Sequence, residues 1–168
     1  MKTEKIILCG GCFWGMQSLI DNKDGVIESR VGFSGGNDKY TSYDEVKLGI
    51  TGHAEAVEVI YDTEKLSLRK LMALFLKIHD PTTFERQGND EGPQYRSAIF
   101  YFTDEQKNIV IKAIDDADKT GLWGDKIITE VKPFTNFIEA EPEHQKYIEN
   151  NPNGYTCHYP RSDWNLPL

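Results

Sequence analysis

The chain has 168 residues, with 27 acidic and 19 basic side chains and a formal net charge of −8 at pH 7. This length suits one domain over residues 1–168, and an acidic chain without basic clusters argues against nucleic-acid binding. No apolar run approaches the roughly 18 residues that a membrane-spanning helix needs. With only three cysteines and no recognisable signal peptide, we expect a cytoplasmic protein without a disulfide framework.

A glycine-rich stretch near the N-terminus, Cys9-Gly10-Gly11-Cys12-Phe13-Trp14-Gly15, separates two apolar patterns. Residues 5–8 predict a buried strand, and the apolar residues of 13–20 recur at helical spacing. Cys12 is therefore expected where a helix begins, and the unpaired backbone N–H groups there favour a thiolate. We interpret Cys12 as a reactive thiol. The alternative is a small buried residue in a tight turn.

Alternating apolar residues predict two strands, over 26–33 and 54–61. In the first strand Ile27 lies on the apolar face, and the long loop between the strands is of a kind that often carries function. In the second strand Glu55 shares a face with Val57, which is unusual for a carboxylate. Glu55 could be a salt-bridged core residue, or burial could raise its pKa so that it holds a proton near neutral pH.

The second half of the chain alternates between helical and strand patterns. Ser67 could cap a helix that runs to about His79, and Thr103 with Gln106 fits a capping box for another helix. The other segments are a polar loop over 82–93, strands over 95–102 and 127–131, a short helix over 142–149 and an irregular tail. We expect an α+β fold with helices packed on a mixed sheet, rather than a large doubly wound sheet.

Several polar residues have both a functional and a structural interpretation. Tyr43 and Tyr95 could be hydroxyl donors or packing residues, and Asp90 could simply form a turn. Cys157 could be a free surface cysteine or a thiol that condenses with an oxidised Cys12. Cys9 has apolar neighbours, which indicates a core residue.

Five motifs occur in an order that resembles the peptide methionine sulfoxide reductases of the A type. The likeness extends over nearly the whole chain. The motifs are Gly11-Cys12-Phe13-Trp14-Gly15, Thr41-Ser42-Tyr43, Gly52-His53-Ala54-Glu55-Ala56-Val57, the segment from Arg86 to Ser97, and the segment from Asn151 to His158.

The resemblance implies a two-layer α+β sandwich of the ferredoxin-like plait kind. It also implies reduction of the S epimer of methionine sulfoxide, either free or in oxidised proteins. Cys12 corresponds to the nucleophile and Cys157 to the cysteine that resolves its sulfenic acid as a disulfide. Many members carry a further recycling cysteine, but this chain has none after Cys157. Thioredoxin or another dithiol is therefore expected to reduce a Cys12–Cys157 disulfide directly.

The resemblance also assigns the groups around the nucleophile. Glu55, Tyr43 and Tyr95 correspond to the residues that bind and protonate the sulfoxide oxygen. The residues that correspond to the family's substrate-binding positions are Phe13, Trp14 and Asp90, the first two as walls for the S-methyl group.

Two functions of other classes remain open from the residues themselves. A cysteine hydrolase would use Cys12 with a histidine such as His53 and an acid such as Asp90. A non-catalytic module would bind methionine or its sulfoxide between Phe13 and Trp14. The four histidines lack the spacing of metal ligands, so we expect no metal site. We also expect no cofactor and a monomer.

Overall fold

The structure, a computed structural model, describes residues 2–168. In the first half of the chain the elements are β1 (Thr3–Gly10), α1 (Phe13–Asp21), β2 (Val26–Ser34), α2 (Tyr43–Lys47), β3 (Ala54–Asp62) and α3 (Leu68–Ile78). They are followed by β4 (Arg86–Gln87), β5 (Asp90–Glu91), β6 (Ser97–Tyr101), α4 (Asp104–Thr120), β7 (Glu130–Pro133), β8 (Phe137–Glu139) and α5 (Tyr147–Asn150). Two 3₁₀ helices span Pro93–Tyr95 and Pro142–His144.

Six strands form one mixed sheet in the order β7-β6-β1-β3-β2-β8, and β4 pairs with β5 in a separate hairpin. The pairs among β6, β1, β3 and β2 are antiparallel, whereas β7 joins β6 in parallel. The predicted α+β fold with a mixed sheet is confirmed, and the finer assignment to a two-layer ferredoxin-like plait stays a prediction. Across residues 2–168, no helix has the length and apolar character to span a membrane.

Both faces of the central strands are buried. Ile6 of β1 packs in a large core cluster with Met16 of α1 and Phe75 of α3. Ile7 and Cys9, which alternate with it, lie in a second cluster on the other face. Each fully buried aliphatic side chain contributes about 1.5–3 kcal/mol to the stability. The position of β1 is therefore fixed from both sides, and with it the start of α1.

Antiparallel pairing places the end of β1 beside the beginning of β3. Ile6 pairs with Val59 and Leu8 with Val57, so the register leads towards Glu55 as β1 approaches Cys12. Cys12 and Glu55, which are 43 positions apart in the sequence, are thereby brought to the same end of the two central strands. The register of β3 against β1 is thus what assembles the candidate site.

The predicted helix caps are found where the sequence placed them. The Ser67 hydroxyl accepts a hydrogen bond from the Lys70 backbone N–H at 3.2 Å, and α3 ends one residue before His79. The Thr103 hydroxyl accepts from the Gln106 backbone N–H at 3.1 Å. The Gln106 side chain accepts instead from the N–H of Phe102, one residue before the cap, so this capping box is only half formed.

Some predicted strand details are wrong. Ile27 is 47% exposed, because a register shift between Val26 and Glu28 turns it away from the apolar face. Tyr95 belongs to a 3₁₀ helix, and strand β6 starts only at Ser97. The last predicted strand begins at Glu130 rather than at residue 127, and the short strand β8 that follows it was not predicted.

Two segments contain more structure than their sequence patterns indicate. The long loop between β2 and β3 includes α2, whose start is capped by the Ser42 hydroxyl. The segment 142–149 is not one helix, because a 3₁₀ turn and α5 are separated at Lys146, where φ is +54°. This left-handed residue redirects the chain, and the ring of Tyr147 then lies against Trp14.

Candidate active site

Cys12 lies at the N-cap of α1, as its sequence context predicts, and only 5% of the residue is exposed. Gly11 makes the turn out of β1 with a φ of +95°, a conformation that favours glycine. Burial raises the pKa of the Cys12 thiol, and the charge of Glu55 adds to this effect, whereas the Trp14 N–H lowers the pKa by less. The resting group is therefore a thiol, and the expectation of a resting thiolate from the helix start alone is wrong.

Glu55 is the buried acid of the site, with 1% of its surface exposed. Its Oε1 atom accepts the Phe13 backbone N–H at 3.2 Å, and its Oε2 atom has no hydrogen-bond partner among the described residues. Burial raises the pKa of Glu55 to about 8, and the negative charge of Asp90 adds to this effect. Glu55 is thus a neutral acid at pH 7, with one oxygen free to serve a bound molecule. This arrangement is not that of a salt-bridged core carboxylate.

Tyr43 and Tyr95 reach the same region from different elements. Tyr43 is the first residue of α2, where its backbone N–H donates to the Glu141 carboxylate at 3.1 Å, and Tyr95 ends a 3₁₀ helix. Burial raises the pKa of both phenols, and the charges of Glu55 and Cys12 raise them further. Both tyrosines therefore carry their hydroxyl protons beside the acid and the thiol, as hydrogen-bond donors must.

Five rings form an aromatic wall beside the thiol: Phe13, Trp14, Tyr43, His144 and Tyr147. The Tyr147 ring stacks on Trp14 with centroids 3.9 Å apart, and the His144 ring stacks on Tyr43 at 4.2 Å. The Trp14 indole N–H donates to Nδ1 of His144 at 3.1 Å, and the Phe13 and Tyr43 centroids lie 6.0 Å apart. His144 and Tyr147 could not be recognised from the sequence, because neither lies in a pattern that distinguishes it from an ordinary helical residue.

Cys157 lies in the tail, within reach of the hairpin formed by β4 and β5. Its Sγ atom is 3.8 Å from the Gln87 carbonyl oxygen and 3.9 Å from Oδ2 of Asp90. Oδ2 of Asp90 also accepts the Tyr155 hydroxyl at 3.2 Å, so Asp90 fastens the tail as well as forming the hairpin. All three cysteines are free, and Cys157 is near enough to Cys12 for its charge to raise the pKa of the Cys12 thiol.

Close packing of the tail on α1 depends on a small residue. A methyl group added at Gly15 would overlap the Thr156 hydroxyl oxygen and lie 3.0 Å from Nδ1 of His158. The glycine thus lets the segment 156–158 lie directly against the first turn of α1. This contact sets the position of Cys157 relative to the start of the helix.

The remaining candidates lie apart from this chemistry. Cys9 is fully buried, which confirms the predicted core position, and burial raises the pKa of its thiol to about 12. The Gly36 N–H donates to Nδ1 of His53, and Nε2 lies 2.9 Å from the Asn37 carbonyl oxygen. With both nitrogens bound to the loop backbone, His53 has none left to serve as a base for Cys12.

One group in the described part of the chain has the composition of a metal site. Ligand atoms of Glu141, Glu143 and His144 lie within 4.8 Å of one another. Glu141 accepts the Tyr43 N–H, and Nδ1 of His144 accepts the Trp14 indole N–H. These bonds give the group a structural role in holding the aromatic wall.

Comparison with known proteins identifies the family. The model of the family described as "Peptide methionine sulfoxide reductase" matches residues 4–165. The chain belongs to the peptide methionine sulfoxide reductase family. A relative from Nocardia farcinica (strain IFM 10152), named peptide methionine sulfoxide reductase MsrA, is 54% identical over 165 residues, which is 98% of this chain and 95% of that protein. The chain is accordingly an oxidoreductase of the family that reduces methionine sulfoxide.

Solved structures of a yeast protein, Mxr1 from Saccharomyces cerevisiae, give the likeness in three states. The reduced form has a TM-score of 0.91 at 37% identity, covering 96% of this chain and 93% of that one. The "unusual oxidized form" has a TM-score of 0.67 at 36% identity, covering 96% of this chain and 90% of that one. The complex with Trx2 has a TM-score of 0.65 at 28% identity, covering 96% of this chain and 91% of that one. The present fold thus matches the reduced form better, in agreement with its three free cysteines.

The raised pKa of Glu55 leads to a prediction about stability. A glutamate in the unfolded chain has a pKa of about 4.3, whereas folded Glu55 has a pKa of about 8. Between these pH values the native state therefore binds more protons than the unfolded state. Its contribution to the free energy of unfolding is therefore full at low pH and is lost as the pH rises towards 8. Glu55→Gln removes this loss. We expect the variant to gain stability relative to the unchanged protein between about pH 5 and about pH 8, by up to about 1.4 kcal/mol per pH unit.

Urea denaturation at several pH values measures this difference. Glu58→Gln is a suitable control because Glu58 is also on β3 and buried, but is paired with Arg30 at 2.7 Å. We expect no comparable relative gain at high pH for that variant. Parallel stability curves for the unchanged protein and Glu55→Gln would contradict a protonated Glu55.

Proposed function

We propose that the chain reduces the S epimer of methionine sulfoxide, free and in oxidised proteins, by a two-cysteine cycle that thioredoxin or another dithiol completes. One observation carries the proposal: the Cys12 thiol lies beside a buried acid that is protonated at pH 7 and has one unpartnered oxygen. Reduction of a sulfoxide by a thiol needs a nucleophile at sulfur and a proton at oxygen. These two groups supply both.

In the first step, Sγ of Cys12 bonds to the sulfoxide sulfur while Glu55 gives its proton to the sulfoxide oxygen. The oxygen then moves to Sγ: an Sγ–O bond forms, the substrate S–O bond and the transient bond between the two sulfurs break, methionine leaves, and Cys12 remains as a sulfenic acid. The proton from the Cys12 thiol replaces the one that Glu55 gave, so the step balances without an outside proton. Tyr43 and Tyr95 donate hydrogen bonds to the oxygen as its negative charge develops.

The pocket also suits the apolar part of the substrate. Trp14 is partly buried and offers an apolar surface to the S-methyl group, and the fully buried Phe13 supports this wall through its contacts with Tyr43 and His144. Asp90 lies at the other side, where its negative charge still raises the pKa of Glu55. A bound sulfoxide would thus have its methyl group against the aromatic wall and its oxygen towards Oε2 of Glu55.

In the second step, Cys157 attacks the sulfenic sulfur of Cys12, and the oxygen leaves as water. A disulfide results, and a dithiol then reduces it by thiol–disulfide exchange. The yeast relative crystallised with Trx2 supports a thioredoxin as this partner. A cycle of this kind also fits a reducing compartment, so we retain the cytoplasm as the proposed location.

The two rival functions have weaker support. A cysteine hydrolase needs a base beside the thiol, and the nitrogens of His53 are already bound to loop backbone. A module that only binds methionine would have no use for a protonated acid or a second thiol. The family relationship also favours an enzyme.

An assay with the separated S and R epimers and dithiothreitol tests the proposal. We expect repeated turnover of the S epimer by the unchanged protein, and none by Cys12→Ser, since the weaker oxygen nucleophile cannot complete the first step. Cys9→Ala, which changes a buried cysteine outside the pocket, is the control and should retain turnover. Methionine formation by Cys12→Ser, or turnover of the R epimer alone, would contradict the proposal.

The role of Cys157 is tested by the choice of reductant. With thioredoxin we expect Cys157→Ser to form about one methionine per enzyme and then stop, because no disulfide is available for exchange. With dithiothreitol, which can reduce the sulfenic acid directly, the variant should continue to turn over. Equal steady-state rates with the two reductants would rule out the resolving role.

A further inference from the structure

His158 follows Cys157 directly and is buried, with 6% of its surface exposed. Its Nε2 atom lies 2.6 Å from the Gly10 carbonyl oxygen. A carbonyl oxygen can only accept a hydrogen bond, so Nε2 must carry the proton of this bond. In the neutral ring the other nitrogen, Nδ1, then holds a lone pair.

The lone pair of Nδ1 faces the tail thiol. Nδ1 lies 3.8 Å from Sγ of Cys157, within the range of a hydrogen bond to sulfur. Burial lowers the pKa of His158 to about 4, and the positive charge of Arg161 lowers it further. His158 is therefore neutral at pH 7 with its Nδ1 lone pair available, and the negative charge that develops on Cys157 would stabilise the imidazolium as it forms.

We propose that His158 is a catalytic base of the resolving step, taking the Cys157 thiol proton as Cys157 attacks the oxidised Cys12. The inference rests on the proposed function, in which Cys157 resolves a sulfenic acid. It adds a residue whose task begins only after methionine has left. The reduction of the sulfoxide itself does not need it.

The step balances with the groups present. The proton of the Cys157 thiol passes to Nδ1, and the sulfur forms a bond to Sγ of Cys12. The S–O bond of the sulfenic acid breaks, and the leaving hydroxide takes the proton back as water. The Cys157 sulfur is oxidised, the Cys12 sulfur is reduced, and His158 returns to its neutral form with the proton still on Nε2.

Other polar and charged groups lie near the Cys157 sulfur and the His158 ring. The Gln87 carbonyl oxygen, 3.8 Å from the same sulfur, is too weak a base to remove its proton. Oδ2 of the Asp90 carboxyl, 3.9 Å from the same sulfur, already accepts the Tyr155 hydroxyl. His79 and Arg161 are close enough to interact electrostatically with the His158 ring. Burial lowers the pKa of His79 to about 3, so Arg161 carries the positive charge of this pair.

The variant that tests the inference is His158→Gln. Its amide N–H can replace the Nε2 bond to the Gly10 carbonyl and keep the tail in place, but the amide is not a base. The unchanged protein and the variant are mixed with methionine sulfoxide without reductant. Methionine, the sulfenic acid trapped by dimedone and the loss of free thiols are followed over one turnover.

We expect His158→Gln to form methionine at the unchanged rate and to close the disulfide on the order of 10²-fold more slowly. The sulfenic acid should accumulate in the interval. Closure in the variant should also speed up about tenfold per pH unit, because the thiolate then arises only by loss of its proton to solvent. In the unchanged protein the rate of disulfide closure should depend less on pH, since His158 stays neutral above about pH 5.

His79→Gln is the matched control, since it makes the same change at a neighbouring buried histidine whose nitrogens contact Phe75 and Ser97. It should close the disulfide at the unchanged rate. An unchanged closure rate in His158→Gln, or equal slowing in both variants, would overturn the role of His158. Absence of methionine from the unchanged protein would instead refute the proposed function, so the two failures are distinguishable.

Discussion

The hydrogen bond from the Phe13 N–H to Oε1 of Glu55 is the contact on which the site depends. It fastens the first turn of α1 to the beginning of β3, and it uses one carboxyl oxygen so that the other remains free in a buried pocket. Because no cation among residues 2–168 compensates for burial, the acid keeps its proton at neutral pH. Core packing around β1 and β3 maintains this unfavourable environment, and the cost of burying the acid is the source of its chemistry.

The same burial determines the state of Cys12. The helix start alone would favour a thiolate, whereas the closed pocket and the neighbouring acid favour the thiol. The Cys12 thiol and the neutral Glu55 carboxyl together hold the two protons that move in the proposed reduction of the sulfoxide. Neither group has to be charged before the substrate binds. The site is then selective for its substrate, because the reaction starts only when the bound group can accept a proton from Glu55.

Local sequence patterns predicted the parts of the site that local structure creates. Cys12 could be placed because a strand, a turn and a helix succeed each other within a few residues, and Glu55 because a strand repeats every two residues. His144 and His158 could not be placed, because they contact Trp14 of α1 and Gly10 of β1 only through packing across 130 and 148 positions of the chain. The predicted thiolate state of Cys12 was wrong for the same reason, because burial is set by the whole fold and not by the local sequence.

In the proposed mechanism, Glu55 holds the proton that the sulfoxide oxygen receives. The most direct measurement is the pH dependence of methionine formation in a single turnover, followed with excess enzyme and without reductant. Because the pKa of Glu55 is about 8, we expect the rate to be constant at neutral pH and to decline as the pH rises through about 8. A rate that stays constant, or that increases through this range as expected for attack by a thiolate alone, would contradict it.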